Sequence, residues 1–228
     1  EQMSGTTGDV ADSFREYLEQ LAAVGACNRI DQQVSWNLEA SAVTMQANEN
    51  DAAIPVFEDV SDHSEVRLVG DPYRGPRHQP WKRIAMALGL SDGLTTDSYY
   101  ETIIDRLRSP IPPAVVDKES APCKDVVVET DDVDLLSFPW PFLHVGDGGR
   151  YSNVHTLIAD DRDTDWTDWS SHRTMFHDST RASLLLLAGE QTPNIYYYKY
   201  ERNDEPMPVA IAIGAEPAVE CTSTMWIP

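Results

Sequence analysis

Long apolar runs are missing from this sequence. No stretch approaches the roughly 18 consecutive apolar residues that span a bilayer, so neither a membrane segment nor a membrane partner is expected. The opening stretch, Glu1 to Asp12, is polar and acidic, unlike a secretory signal, which carries a basic end and an apolar core. Cysteine is scarce. Cys27, Cys123 and Cys221 are odd in number and far apart, which excludes a disulfide framework and a CxxC metal site, and points to buried thiols in a cytoplasmic protein. Lysine is scarce too, with Lys82, Lys118, Lys124 and Lys199 the full set. Against 38 acidic residues stand only 17 Lys and Arg, a net charge of -21. Such a surface repels nucleic acid and excludes it as a partner. An acidic, lysine-poor surface also stays hydrated at high salt, so a halophilic source is expected. Catalytic signatures are missing as well. The chain has no G-x-S-x-G, no HExxH, no P-loop and no GxGxxG. Gly146–Tyr151 is glycine-rich, but it matches no phosphate-binding pattern and reads as a turn feeding a strand.

What is present is a packed α+β protein. The hydrophobic fraction of 41% is ample for a core and too high for a disordered chain. Phe14, Tyr17, Leu18, Leu21 and Ala22 recur at helical spacing, with Gly25 as a stop. A short extended segment follows at Ile30–Val34. A second helix is expected over 38–48, with Asn37 as its N-cap. Short strands are expected at Ile54–Phe57 and Val66–Gly70, a loop at Gly75–Pro80, and helices at Trp81–Leu90 and Tyr99–Leu107. Pro110, Pro112 and Pro113 break both helix and central strand, which places a linker near 109–122. Beyond it the chain reads as strands at 125–129, 154–160, 167–174, 183–187, 195–200 and 209–213. Closely spaced strands favour a barrel or sandwich. The tyrosine run Tyr196–Tyr198 reads as a strand with one buried face, and VAIAIG (209–214) as a core strand.

The second half carries a specific resemblance. The segments CKDVVVETDDVDLLSFPWPFLHVGDGGRY (123–151), WTDWSSHRTMFHD (166–178), PMPVAIAIGAEPA (206–218) and STMWIP (223–228) resemble the UbiD family of decarboxylases, and within it the ferulic-acid-decarboxylase branch. The first half is similar through its opening helix, NLEASAVTMQANEN (37–50) and PIPPAVV (110–116). The resemblance implies a small α/β N-terminal domain with its Pro-rich linker, 1–118. A flavin-reductase-like split β-barrel follows at 119–228, left incomplete, and a C-terminal dimerisation domain is absent. It implies prenylated FMN as cofactor, held through its phosphate by a divalent metal, usually Mn2+, and by K+. The modified flavin forms a covalent adduct with an aromatic or α,β-unsaturated acid, or its thioester, and carbon dioxide leaves. It further implies a flavin prenyltransferase as cofactor supplier, and a dimer or hexamer in the full-length protein.

The motif around Trp166–Arg173 carries the chemistry. On a strand, alternate side chains share a face, so Asp168, Ser170 and His172 would line one side and Trp169, Ser171 and Arg173 the other. An oxygen ligand at Asp168 suits a hard metal bridged to phosphate, and Ser170 with nearby backbone N–H groups would donate to phosphate oxygens. By resemblance Arg173 lies beside the reacting centre, where a guanidinium holds a substrate carboxylate in two hydrogen bonds. The chain departs from the family pattern twice. Asp168 stands where asparagine is usual, which adds a charge that strengthens metal binding and repels a metal-free phosphate. Gln191 stands at a position usually held by a metal-binding histidine, preceded by Glu190. Its carbonyl still coordinates a hard cation, and Glu190 is a substitute ligand. Ser223, Thr224 and Met225 match positions that contact the flavin. His155, His172 and His177 have no zinc-site spacing. His172 is expected near the flavin and His177 at a strand end. The catalytic acids of the family match no position up to 228, so these residues alone are expected to be inactive. Two other readings remain: a non-catalytic flavin-binding or assembly subunit, and a flavin reductase-like protein.

Overall fold

The computed structural model describes residues 10–90 and 93–225. Most of the acidic opening stretch, and Trp226, Ile227 and Pro228 of the last motif, lie outside the described residues.

The first half builds a small sheet against helices. Helix α1 (Phe14–Ala23) starts where the Ser13 side chain accepts from Glu16 N–H, and stops at Gly25 (φ 69°). Its apolar stripe buries Tyr17, Leu18 and Leu21. Strands β1 (Cys27–Ile30) and β2 (Ile54–Phe57) pair in parallel, with β3 (Leu68–Val69) antiparallel on the far edge of β2. All four residues of β2 are buried, as an unbroken apolar run in a central strand requires. Helix α2 (Glu39–Glu49) connects β1 to β2, and α3 (Lys82–Ala87) and α4 (Thr96–Leu107) follow β3. Thr95 and Ser98 form a capping box at the start of α4. Asn37 does not cap α2. The N-cap is Leu38, at φ 68°, a left-handed conformation costly for a branched side chain. Leu38 is held there by Phe142, whose carbonyl accepts from Leu38 N–H while its own N–H reaches Trp36 O.

The second half forms two three-stranded antiparallel sheets and, among the described residues, no closed barrel. One has the order β4–β7–β8, with β4 at Arg150–Ser152, β7 at Thr174–Phe176 and β8 at Ala182–Leu184. The other has the order β6–β5–β9, with β5 at Thr156–Asp160, β6 at Thr167–Ser170 and β9 at Val209–Ala212. The expected strand over 167–174 is thus two strands in different sheets, and residues 171–173 carry the chain across. Residues 125–129 form no strand. Val126, Val127 and Val128 are exposed between short 3-10 turns and meet no partner strand among the described residues, so their β-propensity goes unused. Residues 195–200 are helical: α5 (Gln191–Ile195) runs into a π-helical turn, Tyr196–Tyr200. The buried residues Thr192, Ile195 and Tyr200 follow a helical rather than a two-residue period. Strand β9 is an edge strand with Val209 43% exposed, not a core strand. Of the thiols, Cys221 is buried, Cys27 half-buried and Cys123 exposed, so the last departs from the expectation of buried thiols.

Helix α6 (Pro217–Thr222) leaves the second half and packs into the core of the first. Cys221 is buried in one cluster with Tyr17, Leu21, Ile54 and Tyr99. Its neighbour Glu220 is 5% exposed, and burial pushes its carboxyl up to about 7. The Ala215 N–H and the Thr156 hydroxyl favour the charged form without offsetting that burial. A carboxyl raised in this way stabilises the fold below the ordinary carboxylate range, and the contribution is lost as pH rises through about 7. Glu220→Gln should therefore gain stability over the parent chain, by about 1–2 kcal/mol, as pH goes from 5 to 8. Urea unfolding at the two pH values checks this, and a gap that stays constant or narrows contradicts it.

Candidate functional site

Strand β6 alternates as its sequence requires. Asp168 is buried, Trp169 is 50% exposed, and past the strand His172 is buried while Arg173 is exposed. Asp168 is the centre of the arrangement. Its Oδ2 accepts from Ser170 Oγ at 3.0 Å, on the same strand face, and from Thr192 Oγ1, which is fully buried on α5. The two hydroxyl oxygens lie 2.8 Å apart. Each hydroxyl has one hydrogen, so with both committed to the carboxylate they donate nothing to each other. Oδ1 has no hydrogen-bond partner among the described residues.

Thr192 fixes α5 against β6, and with it the two residues before. Gln191 is half-buried at the first position of the helix, and Glu190 precedes it. The Glu190 Oε2 lies 3.5 Å from His172 Nδ1, and Leu185 O lies 3.2 Å from the same nitrogen. His172 is 3% exposed, and its Nε2 is buried with no hydrogen-bond partner among the described residues. A buried polar atom left unpaired is uncommon and costly.

The crossing segment joins these elements to α6. Ser171 N–H donates to Ser223 O at 3.2 Å, and the Ser171 hydroxyl makes a long 3.4 Å contact to Asn153 O. Met225 packs against the core of the first half, and Thr224, between them, is exposed. Arg173 accepts Leu185 N–H through its carbonyl at 2.9 Å, and its guanidinium has no ion pair among the described residues. Asp168, Ser170, Ser171, His172, Glu190, Gln191 and Ser223 are thus gathered where β6, the crossing, α5 and α6 meet. Trp169 and Arg173 face out of the same segment. Two of the expected phosphate donors are already engaged: the Ser170 hydroxyl by Asp168 and the Ser171 N–H by Ser223.

The histidines do not form a metal trio. His155 is fully buried with Ser152 Oγ at 2.9 Å from Nδ1 and Thr174 Oγ1 at 3.0 Å from Nε2. Burial lowers its pKa, which keeps the ring neutral and both nitrogens in use. His177 follows β7 and meets Ser183 across the strand pair. Among the described residues no group of three or more His, Cys, Asp or Glu side chains is placed to hold a metal ion. Gly146 (φ 98°) begins the turn into β4, as read from the sequence. Thr192, Thr174 and Glu220 were not expected in the neighbourhood. Thr192, next to Gln191, and Thr174, next to Arg173, each had a nearby signal, whereas Glu220 is brought there by a distant element.

Thr192→Val removes one of the two hydrogen bonds to the buried Asp168 carboxylate at nearly constant volume. It should cost about 1–3 kcal/mol of stability, read from the urea midpoint. An unchanged midpoint contradicts the role assigned to Thr192.

Comparisons with known proteins agree along most of the chain. Residues 114–228 match the model of the 3-octaprenyl-4-hydroxybenzoate carboxy-lyase Rift-related domain (UbiD), and residues 18–107 match that of the same family's N-terminal domain. Ferulic acid decarboxylase 1 of Candida dubliniensis is 31% identical over 94% of this chain and 44% of its own length. Pyrrole-2-carboxylic acid decarboxylase of Pseudomonas aeruginosa is 30% identical over the same shares. Among solved structures, the UbiD-class enzyme HmfF from Pelotomaculum thermopropionicum in complex with FMN superposes with a TM-score of 0.79 at 28% identity, over 92% of this chain and 44% of that one. Its evolved dimeric form in complex with prFMN gives 0.80 at 28% identity, over 93% and 46%. Vanillic acid decarboxylase of Sedimentibacter hydroxybenzoicus in closed form gives 0.86 at 25% identity, over 95% and 46%. The chain spans about 44% of the length of the curated relatives it matches.

Proposed function

The chain belongs to the UbiD carboxy-lyase family, and from that premise we propose that it forms the cofactor-binding part of a decarboxylase. Its substrate is an aromatic or α,β-unsaturated carboxylic acid, or its thioester. One observation carries the reading: the buried Asp168, with one carboxylate oxygen that has no hydrogen-bond partner among the described residues, lies in the same crossing as an exposed Arg173 that has no ion pair among them. Two similar solved structures hold FMN or prFMN, which supports prenylated FMN here. When bound, that group supplies the electron sink for loss of carbon dioxide.

The residues present fit such a group in part. Asp168 Oδ1 offers a hard oxygen to a divalent cation such as Mn2+. The side-chain carbonyl of Gln191 is a second, weaker ligand, and Glu190 a third choice. Two or three oxygens do not complete a coordination shell, so a cation held here would need further donors. K+ would be the second cation of the same site. The Ser171 hydroxyl, weakly engaged, is the side-chain donor free to turn to the phosphate, and Ser223 and Met225 hold the segment alongside. His172, with Nε2 without a partner among the described residues and Nδ1 near Leu185 O and Glu190, would help hold the cofactor. Arg173 binds the substrate carboxylate through two parallel N–H donors and orients the bond that breaks.

The wider reading follows the same premise. The division between domains falls near 118 and 119. A flavin prenyltransferase supplies the cofactor in the cytoplasm, and the protein is a homo-oligomer, for which exposed Ile111, Val115 and Val126 supply apolar surface. No described helix is long and apolar enough to cross a membrane. The net charge of -21 adapts the surface to high salt.

Arg173→Ala in the intact protein should keep the cofactor and lose activity by about 100-fold or more, whereas Asp168→Ala should lose metal and flavin together. Turnover with each variant, beside its bound flavin and metal, checks both. Parental turnover in Arg173→Ala, or full metal and flavin in Asp168→Ala, contradicts the roles assigned.

A further inference from the structure

The crossing from β6 to β7 consists of Ser171, His172 and Arg173, and each is held through its backbone by a different part of the fold. Ser171 N–H donates to Ser223 O at 3.2 Å, and Arg173 O accepts from Leu185 N–H at 2.9 Å. His172 O accepts from the Thr174 hydroxyl at 3.1 Å. The His172 carbonyl belongs to the peptide unit that enters Arg173, and the Arg173 carbonyl to the unit that leaves it. Each unit is planar. The two bonds therefore fix the planes on both sides of the Arg173 Cα, and with them the direction of its side chain. No ion pair among the described residues ties the guanidinium itself, so its aim is set by this backbone. Of the two bonds, the one to His172 O comes from a side chain, and it depends on what holds that side chain.

Thr174 is backed by a polar network that water does not reach. His155 and Thr174 are fully buried, and Ser152 is buried as well. Ser152 and Thr174 are direct partners in the β4–β7 pair, so their side chains share a face. The His155 ring, from the end of the turn into β5, bridges the two hydroxyls through Nδ1 and Nε2. The hydrogens in this network run in one direction. The Thr174 hydroxyl has one hydrogen, and it goes to His172 O, which can only accept. Thr174 Oγ1 must then accept from His155 Nε2–H, and Nδ1 of the neutral ring accepts from the Ser152 hydroxyl. An apolar side chain in place of His155 would fill the space without burying polar atoms. A fully satisfied polar network rigidifies instead, and this one ends on a carbonyl of the crossing.

We propose that Ser152, His155 and Thr174 are positioning residues that hold the peptide unit entering Arg173 and so aim its guanidinium. They act through the backbone of Arg173 rather than on the substrate. The proposal rests on the role given to Arg173 above, that of binding the substrate carboxylate, but the hold on the crossing is a property of the fold and is measurable without turnover. Loss of the Thr174 hydroxyl removes the bond to His172 O and leaves Nε2–H of a fully buried ring without its acceptor. The peptide unit then gains freedom, and Arg173 with it. A displacement of about 1 Å in a group that orients substrate costs on the order of 100-fold in rate.

The test uses the intact protein carrying its flavin, with ferulate and pyrrole-2-carboxylate as probe acids. Thr174→Val keeps the volume and removes the hydroxyl, whereas Thr174→Ser keeps the hydroxyl. Thr174→Val should lower kcat per bound flavin by about 10- to 100-fold, and Thr174→Ser should stay within about threefold of the parent. Added to Arg173→Ala, Thr174→Val should cost nothing further, because nothing is left to aim. A role in packing alone would lower stability or flavin content, leave kcat per bound flavin unchanged, and add to the effect of Arg173→Ala; any such unchanged kcat or additive loss overturns the proposal. If Thr174→Val does not fold, Ser152→Ala makes the same test from the far end of the network, with an expected loss of about threefold or more, and parental kcat there overturns the proposal. Hydrogen–deuterium exchange over residues 171–176 reads the hold on the crossing without turnover. It should quicken in Thr174→Val and stay parental in Thr174→Ser, and parental exchange in both overturns the proposal. A parent inactive on both acids counts against the decarboxylase reading, and the exchange result then decides the positioning network by itself.

Discussion

A buried carboxylate is the constraint on which this structure turns. Asp168 is 7% exposed, and a carboxylate taken out of water costs several kcal/mol unless it is hydrogen-bonded. One donor, Ser170, comes from the same strand face and costs no further organisation. The other, Thr192, must be brought from a different element, so α5 is fixed against β6. Once α5 is in place, Glu190 reaches His172, and Gln191 sits at the edge of the same region. One oxygen of Asp168 is satisfied and the other has no hydrogen-bond partner among the described residues. That is the state a residue needs if it is to be both rigid and able to take a ligand.

The second organising feature is α6. It buries Cys221 among Tyr17, Leu21 and Tyr99, in the core of the first half, while Ser223, one residue past its end, accepts the Ser171 N–H of the crossing. The backbone contacts of Phe142 with Trp36 and Leu38 tie the halves at a second place. The family models divide the chain at about residue 110, yet the core is continuous across that point. A change in the packing of α1 or α4 is therefore felt at the crossing through one short helix.

How much was legible in the sequence depended on whether the deciding partner was near in the chain. The apolar run Ile54–Phe57 was read to the residue, because an unbroken buried strand needs no information beyond its own composition. The alternation from Asp168 to Arg173 was read correctly as faces, although the strand itself ends at Ser170 and the chain changes sheets. Val126–Val128 misled because β-propensity is realised only beside a partner strand, and none lies there. Tyr196–Tyr200 misled because aromatic content suggested a strand, while the buried positions keep a helical period set by Thr192 and Ile195. Asn37 lost the cap of α2 to Leu38, which adopts a positive φ held by Phe142, more than a hundred positions on. In the site, the 166–173 segment was visible as a motif. Thr192 and Glu220 were not, because their roles come from burial beside elements that no local pattern announces.

The central claim is that the Asp168 crossing holds a metal-bound prenylated flavin, despite the aspartate and Gln191 in place of more usual ligands. The most direct measurement is the absorbance spectrum and the mass of the cofactor released from the intact protein, co-expressed with a flavin prenyltransferase and purified in high salt. The account predicts prenylated FMN with one equivalent of manganese. A well-folded protein that carries neither would contradict it.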